Sequence, residues 1–231
     1  MKDQTRRKFL IHSAKTTGAI ICATTLGKEL LLPQTIEAAN VLFPESICNS
    51  KNSGSHKILI AYASQFGTTG EVAEAIGEVL CQAGNTVETK WVKNVKDLSD
   101  YDAVIIGSAI QYDSWMPEAE EFVTANKNIL NKLPVAYFFT CLALAMQSGK
   151  GEKKAMTFSD KLTALVPQVK PVCVGRFAGV LDYSKMPFFT RIVLKVMLSI
   201  LGVKEGDYRD WDAIRAWAKD TQLKLNQRRI S

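Results

Sequence analysis

Apolar and polar positions change their spacing several times along the chain, and the changes mark alternating strands and helices. A continuous apolar run covers Lys57–Ala63, and helical spacing follows from Glu71 to Leu80. Four further strand-like runs cover residues 86–92, 103–107, 135–140 and 172–179. Helical patterns cover residues 117–130, 155–165 and 212–225. This alternation predicts an α/β doubly wound fold with a five-stranded parallel sheet.

Sheets of this kind bind ligands outside the carboxyl ends of their strands, near the point where the strand order reverses. For five strands in the order 2-1-3-4-5, this rule selects the loops after the first, third and fourth strands. These loops cover residues 64–69, 108–115 and 140–149. We therefore expect the functional site at one edge of the sheet, between these three loops.

The loop after the first strand has the composition of a phosphate site. Its hydroxyls and one glycine lead directly into a helix, whose first N–H groups lack partners and whose dipole favours an anion. It has no Gly-Lys-Ser/Thr ending and no Gly-x-Gly-x-x-Gly, which excludes a nucleoside-triphosphate loop and a dinucleotide fingerprint. The candidate phosphate-binding residues are Ser64, Gln65, Phe66, Gly67, Thr68 and Thr69. The alternative is an ordinary strand-to-helix connection with an N-terminal cap.

The second and third loops have side chains suited to frame a flat aromatic ring. Tyr112 is the first candidate to stack on such a ring, and Trp115 is the second. The alternative for both aromatics is packing of the loop against the following helix. The full set of candidates is Ser108, Ala109, Ile110, Gln111, Tyr112, Thr140, Cys141 and Leu142.

The amino end differs in character from the rest of the chain. Thr5–Leu10 has the Ser/Thr-Arg-Arg-x-Phe-Leu pattern of a twin-arginine export signal, and a weakly apolar stretch too short for a membrane span follows. We expect a signal peptide over residues 1–39, a polar linker over 40–56 and the folded domain over 57–226. Export would place the domain in the periplasm or on the outer face of the cytoplasmic membrane. The alternative is a chance Arg-Arg pair in a disordered start.

Composition narrows the kinds of ligand that we expect the domain to bind. The formal net charge is +6, but no dense Lys/Arg stripe with interleaved aromatics occurs, so we expect no nucleic-acid binding. The two histidines flank the domain and no Cys-x-x-Cys occurs, so we expect no metal site. Cys81 and Cys173 fall in helical and strand patterns and are predicted to be buried apolar side chains. An oxidising compartment would allow two of the five cysteines to pair, but the sequence does not select them.

The first loop resembles that of the flavodoxin family, which is Thr/Ser-x-x-x-Gly-x-Thr or close to it. Here Ala63 or Ser64 stands at the start, followed by Gly67 and Thr69. The resemblance implies a flavodoxin-like fold with the strand order 2-1-3-4-5. It also implies flavin mononucleotide (FMN) as the cofactor.

Motifs further along are similar to those of the menaquinone-dependent protoporphyrinogen dehydrogenases, a flavodoxin-like family. They are Gly107–Tyr112, Gly179–Tyr183 and Asp210-Trp211, within a resemblance that spans roughly residues 57–220. The resemblance implies an oxidoreductase that transfers electrons through FMN to a quinone or a protein redox partner. Two departures leave the physiological substrate open. Gln65 and Gln111 stand where that family has basic residues. The twin-arginine pattern predicts export, whereas haem-precursor oxidation normally occurs on the cytoplasmic side of the membrane.

The segment Pro187–Val203 combines an apolar stripe with basic edges. The stripe comprises Phe188, Phe189, Ile192, Val193, Val196, Met197, Ile200 and Leu201, widened by Leu194 and Leu198. This extra apolar helical segment is too short to span a bilayer, but it suits peripheral contact with a membrane or a hydrophobic substrate site. The alternative is a helix that covers the domain's own core. In the resembling family the region goes with membrane association and quinone reduction, which favours the first interpretation.

Together these patterns favour an exported FMN oxidoreductase. Two alternatives from other classes stay open. One is a non-catalytic electron carrier that docks to a partner through its basic surface. The other is a binding module that has the fold without a working flavin site.

Overall fold

The computed structural model describes residues 42–50, 55–146, 149–185, 188–200 and 203–230. The predicted export signal over residues 1–39 lies outside these ranges, as do parts of the predicted linker. Pro187 and Leu201, and the side chains of Phe189, Met197 and Ile200, also lie outside the described part of the chain.

Five parallel strands form the centre of the domain. They are β2 (Lys57–Ala63), β3 (Thr86–Trp91), β4 (Ala103–Gln111), β6 (Val135–Cys141) and β7 (Val174–Ala178). Their spatial order is β3-β2-β4-β6-β7, which is the predicted 2-1-3-4-5 arrangement. The predicted α/β doubly wound fold is therefore confirmed.

The sheet also has an edge strand that the sequence did not indicate. Ser46–Cys48 forms β1, which pairs antiparallel with β3 and therefore corrects the prediction of a polar linker over residues 40–56. A disulfide joins Cys48 to Cys81, so the prediction of Cys81 as a buried apolar side chain was wrong. Cys173, predicted in the same way, is half-buried. The Tyr62 hydroxyl also donates to the Pro44 carbonyl at 2.8 Å. Three residues are too few to show a periodicity, so these tertiary contacts alone decide the pairing.

Helices cover both faces of the sheet. In the described part of the chain they are α1 (Thr68–Gln82), α2 (Pro117–Ala125), α3 (Lys127–Leu130), α4 (Gly149–Leu165), α5 (Phe188–Ile200) and α6 (Trp211–Ile230). The helix predicted over 117–130 is divided at Asn126, whose side-chain amide donates to the Phe122 carbonyl at 2.9 Å. None of the helices in these ranges combines the length and the apolar character needed to cross a bilayer.

Alternate side chains of the strands enter two separate cores. Leu59 lies in the core that also contains Phe122 of α2 and Phe158 of α4. Ile60, the next residue, lies in the opposite core with Ile76 of α1. Because both faces of β2, β4 and β6 are buried, the sequences of these central strands are almost continuously apolar.

A smaller, third cluster lies beyond the main sheet. It consists of the buried residues Leu181, Tyr183, Leu198 and Val203, with Leu142, Ala145, Met146, Leu194 and Tyr208 packed against them. Leu181 belongs to β8 (Val180–Leu181), which pairs antiparallel with β9 (Gly206–Asp207) in a separate two-stranded sheet. Leu194 and Leu198 therefore form the inner face of α5, in agreement with the core-covering alternative for these two residues.

The outer face of α5 is apolar and accessible to solvent. Ile192 is 46%, Val193 64% and Val196 60% exposed. Helix α5 thus has two apolar faces. The inner face packs in the third cluster, and the outer face is uncovered in the described structure.

A charged cluster supports the sheet on β3. Glu88 accepts from Lys57 at 2.9 Å, from Lys90 at 2.6 Å and from the Tyr101 hydroxyl at 2.7 Å. Burial by itself raises the pKa of Glu88, but these three donors outweigh it and lower the pKa to about 2. Folding therefore favours the ionised carboxylate.

We predict that Glu88→Gln lowers the free energy of unfolding most at neutral pH. Because the folded-state pKa of Glu88 is depressed from 4.5 to about 2, its contribution is present above pH 4.5 and is lost as the pH falls toward 2. The difference between wild type and variant should therefore shrink over that range in urea unfolding at pH 7, 5 and 3. Glu121→Gln, at an exposed carboxylate of α2, is the control. A difference that stays constant with pH would contradict the argument.

We predict that Gly107→Ala destabilises the sheet through overpacking. A Cβ at Gly107 would lie 2.1 Å from Cζ of Phe138, whose ring is fully buried. We expect a loss of about 1–3 kcal/mol in the free energy of unfolding, measured in urea. Gly179→Ala is the matched control, because the nearest atom to its Cβ is 3.8 Å away. Equal stability of the two variants would contradict this prediction.

Candidate functional site

The strand register brings the three predicted loops to one edge of the sheet. Ala63 pairs with Ser108, and Ala109 pairs with Thr140, so the carboxyl ends of β2, β4 and β6 are neighbours. Two side-chain contacts then join the loops directly. The Thr69 and Thr140 hydroxyls are 2.9 Å apart, and the Gln111 side-chain amide donates to that of Gln65.

The first loop ends in an uncapped helix. Gly67 is the residue before α1 and has φ 81°, a left-handed conformation that glycine adopts without strain. No side chain caps the helix. The Gly70 N–H donates to the Gly67 carbonyl at 2.8 Å, so the N–H groups of Thr68 and Thr69 are the ones that lack an intrahelical partner. With the helix dipole behind them, these groups suit an anion.

The predicted phosphate-binding residues differ in what they can offer. Gln65 is exposed, and Phe66 and Thr68 are half-buried. Ser64 and Thr69 are buried, and the Thr69 hydroxyl is occupied by Thr140. Thr69 therefore acts mainly to hold the first loop against the third. The Thr68 hydroxyl makes no hydrogen bond within the described part of the chain.

A basic residue from a distant part of the sequence reaches the same loop. The Arg209 Nη1 group donates to the Thr68 carbonyl at 3.2 Å and to the Glu71 carboxylate at 2.7 Å. Its Nη2 group donates to Asp207 at 2.6 Å, and the guanidinium lies 4.4 Å from the centre of the Trp211 ring. Sequence reasoning missed Arg209, because nothing local marks one arginine that lies 141 residues from Thr68.

The second loop is a tight hairpin between β4 and β5 (Ser114–Trp115). Its two turn residues, Tyr112 and Asp113, have φ of 49° and 60°. Positive φ at both positions matches the right-handed twist of a hairpin, but it costs a residue with a Cβ about 1–2 kcal/mol. Strain of this kind often occurs at functional sites. Lys154 of α4 pairs with the Asp113 carboxylate at 2.7 Å and helps to hold the turn.

The two aromatics of this hairpin have opposite environments. Tyr112 is 93% exposed at the tip, so its ring is available to stack on a ligand. Trp115 is only 2% exposed, and its indole N–H donates to the Phe158 carbonyl at 2.9 Å. Trp115 is buried and holds the hairpin to α4, so its candidacy as a stacking residue was wrong. The alternative of packing was right in kind, but the hydrogen bond is to α4 and not to the following helix α2.

Ser108 supports the hairpin from inside. Its hydroxyl is fully buried, donates to the Ala109 carbonyl at 2.7 Å and accepts from the Met116 N–H at 2.9 Å. Ser108 is therefore a positioning residue. Ala109, Ile110 and Gln111 follow it and are half-buried on the way to the tip.

The third loop joins the site to the third cluster. Thr140 and Cys141 are buried, while Leu142 is half-buried and packs against that cluster. Burial raises the pKa of the Cys141 thiol, so it stays protonated at neutral pH and is not a thiolate nucleophile. Leu142 is the first of several apolar side chains of this loop that remain partly accessible.

These groups fit the two ends of FMN. Uncapped N–H groups and the Thr68 hydroxyl suit a phosphate, and Tyr112 and Leu142 suit a flat apolar ring. Within the described residues, His, Cys, Asp and Glu side chains form no cluster that could hold a metal ion.

Comparison with known proteins agrees with this fit. Residues 59–207 match the family described as the flavodoxin domain, which supports FMN as the cofactor. A protoporphyrinogen IX dehydrogenase (quinone) from Leishmania major is 28% identical over 180 residues, which cover 73% of this chain and 75% of the relative. The protein of that name from Escherichia coli K12 is 25% identical over 171 residues, with coverages of 71% and 93%.

Among solved structures, oxidised flavodoxin 2 from Bacillus cereus is 21% identical, with a TM-score of 0.45 and coverages of 73% of this chain and 99% of that one. The family match covers well over half of the 231 residues and includes all three loops of the site and most of the third cluster. It confirms the predicted resemblance to flavodoxins. The chain belongs to the flavodoxin domain family.

Proposed function

We propose that the chain binds FMN between the three loops and acts as an oxidoreductase with a quinone as electron acceptor. The observation that carries the proposal is the meeting of an uncapped helix N-terminus with an exposed, strained tyrosine hairpin at one sheet edge. The relatives named protoporphyrinogen IX dehydrogenase (quinone) support an enzyme and a quinone acceptor.

Each part of the site has a separate task in this proposal. The first turn of α1 and the Thr68 hydroxyl bind the phosphate. Tyr112 stacks on the ring, while Trp115 and Ser108 hold the hairpin in place from the buried side. When bound, FMN supplies the two-electron chemistry that links a reduced substrate to an acceptor.

The rim of the site suits a neutral acceptor. Gln65 and Gln111 are joined amide to amide across the entrance between the first two loops, and neither carries a charge. Carboxylates are best recognised by arginine forks, which this pair does not provide. The uncharged rim therefore does not identify the electron donor. Protoporphyrinogen IX is the first donor to test, because the relatives are named for it.

The apolar outer face of α5 extends the proposal to a membrane surface. Its exposed residues Ile192, Val193 and Val196 lie on a helix whose charged residues are Arg191 and Lys195. An apolar face with cationic edges suits the interface of an anionic bilayer, where a quinone is dissolved. Leu142 of the site and Leu194 of α5 pack on the same cluster, which supports a short path from the membrane to the ring.

Export by the twin-arginine route remains part of the proposal. The disulfide between Cys48 and Cys81 supports an oxidising compartment, because such bonds persist in secreted proteins and are rare in the cytosol. Folding before export would suit a protein whose cofactor is inserted in the cytoplasm. The disulfide would then form after transfer.

We predict that the purified chain binds FMN and that the complex shows a flavin absorbance spectrum. After reduction with dithionite, a menaquinone analogue should restore the absorbance faster than buffer alone. Tyr112→Ala should weaken FMN binding about fivefold through lost stacking, whereas Tyr112→Phe should not. Equal effects of both variants would rule out stacking by Tyr112.

The remaining outcomes separate the alternatives. Failure to bind FMN would overturn the flavoprotein proposal and leave a binding module. Binding without quinone reactivity would overturn the quinone acceptor and favour an electron carrier.

We predict that the chain binds vesicles containing anionic lipid more tightly than neutral vesicles. A Val193→Ser, Val196→Ser double variant should lose most of this binding in a co-sedimentation assay, because the apolar face drives insertion. Leu223→Ser is the control, since Leu223 is 63% exposed on α6, away from this face. Undiminished binding of the double variant would rule out α5 as the membrane contact.

A further inference from the structure

We propose that Arg209 is a positioning residue that sets the affinity of the first loop for phosphate. This inference rests on the proposed FMN site. It concerns a residue outside the three loops and outside the family-matched residues 59–207. The proposal assigns Arg209 to holding the first turn of α1, and it assigns the phosphate itself to the loop.

The contacts of Arg209 show why it positions the loop instead of binding the ligand. Its side chain is only 8% exposed, and Nε, Nη1 and Nη2 all donate to protein oxygens. Two carboxylates, Glu71 and Asp207, surround one guanidinium, so the cluster has no net positive charge to offer an anion. Stacking on Trp211 closes a further side.

The effect on the loop follows from the geometry of the peptide bond. Arg209 donates to the Thr68 carbonyl, and the peptide that contains this carbonyl also contains the Thr69 N–H. Because the peptide is planar and trans, an anchored carbonyl fixes the direction of that N–H. The Thr69 hydroxyl is separately held by Thr140. The first turn of α1 is thus held from two sides, although it lacks a side-chain cap.

Arg209 also links the loop to the third cluster. It lies two residues after the end of β9, and the intervening Tyr208 packs against the cluster that contains Leu198 of α5. Whatever orders this cluster therefore also orders the phosphate-binding turn. Because such coupling is reciprocal, phosphate binding should stabilise α5 by the same free energy as ordering of the cluster adds to phosphate binding.

The decisive experiment compares FMN with riboflavin, which lacks the phosphate. Titration of the full chain should show that Arg209→Met weakens FMN binding about tenfold and riboflavin binding less than about twofold. Arg215→Met is the matched control. Arg215 is an exposed arginine on α6 whose contact is the Trp211 carbonyl at 3.4 Å, and its loss should change neither affinity.

A second variant guards against loss of folding. Arg209→Lys keeps a cation between the carboxylates, but a lysine cannot reach three oxygens at once. It should still weaken FMN binding more than riboflavin binding, by a smaller factor than Arg209→Met does. Equal weakening of both ligands in either variant, or an equal effect of Arg215→Met, would overturn the role of Arg209. Wild-type chain that binds neither ligand would instead overturn the proposed flavin site, and the inference with it.

Hydrogen exchange provides a readout that is independent of affinity. FMN should slow amide exchange across Phe188–Ile200 in the wild type, and this protection should be reduced in Arg209→Met at saturating FMN. Riboflavin should protect the segment less in both. Undiminished protection in the variant would contradict the link between the loop and α5.

Discussion

The parallel register of β2, β4 and β6 is the constraint on which the rest of the structure depends. Parallel strands buried on both faces leave no room for polar chemistry along their length, so it collects where they end. Ala63 beside Ser108 and Ala109 beside Thr140 place three loops within hydrogen-bonding distance. The uncapped helix, the hairpin and the apolar third loop are useful only because of this common edge.

Buried hydroxyls and exposed groups have different tasks at that edge. The Thr69 and Thr140 hydroxyls join the first and third loops, and the Ser108 hydroxyl holds the hairpin from inside. Accessible positions are left to Thr68, Tyr112 and Leu142. Residue types that suggest ligand contact thus often serve the scaffold. The strain at Tyr112 and Asp113 is balanced by the buried Trp115 and by Lys154, which hold the hairpin in place.

Contacts beyond the five parallel strands also reach the candidate site. The amino-terminal strand is held by a disulfide to α1, which begins at the first loop. The two-stranded sheet of β8 and β9 lies with α5 at the third cluster, which reaches the site at Leu142 and the phosphate loop through Arg209. Both additions therefore act on α1 or its start, from opposite ends of the chain.

The sequence by itself determined the elements and the sheet edge of the candidate site. Apolar runs and helical spacing are local properties, so the five strands and the three loops could be predicted from them, whereas the strand order was predicted from the resemblance to flavodoxins. The tertiary structure decided which candidates face a ligand, because exposure depends on neighbours distant in sequence. It buried Trp115, exposed Tyr112, paired Cys48 with Cys81 and brought Arg209 to Thr68. No local pattern encodes a contact across 141 residues; only packing of the folded chain creates it.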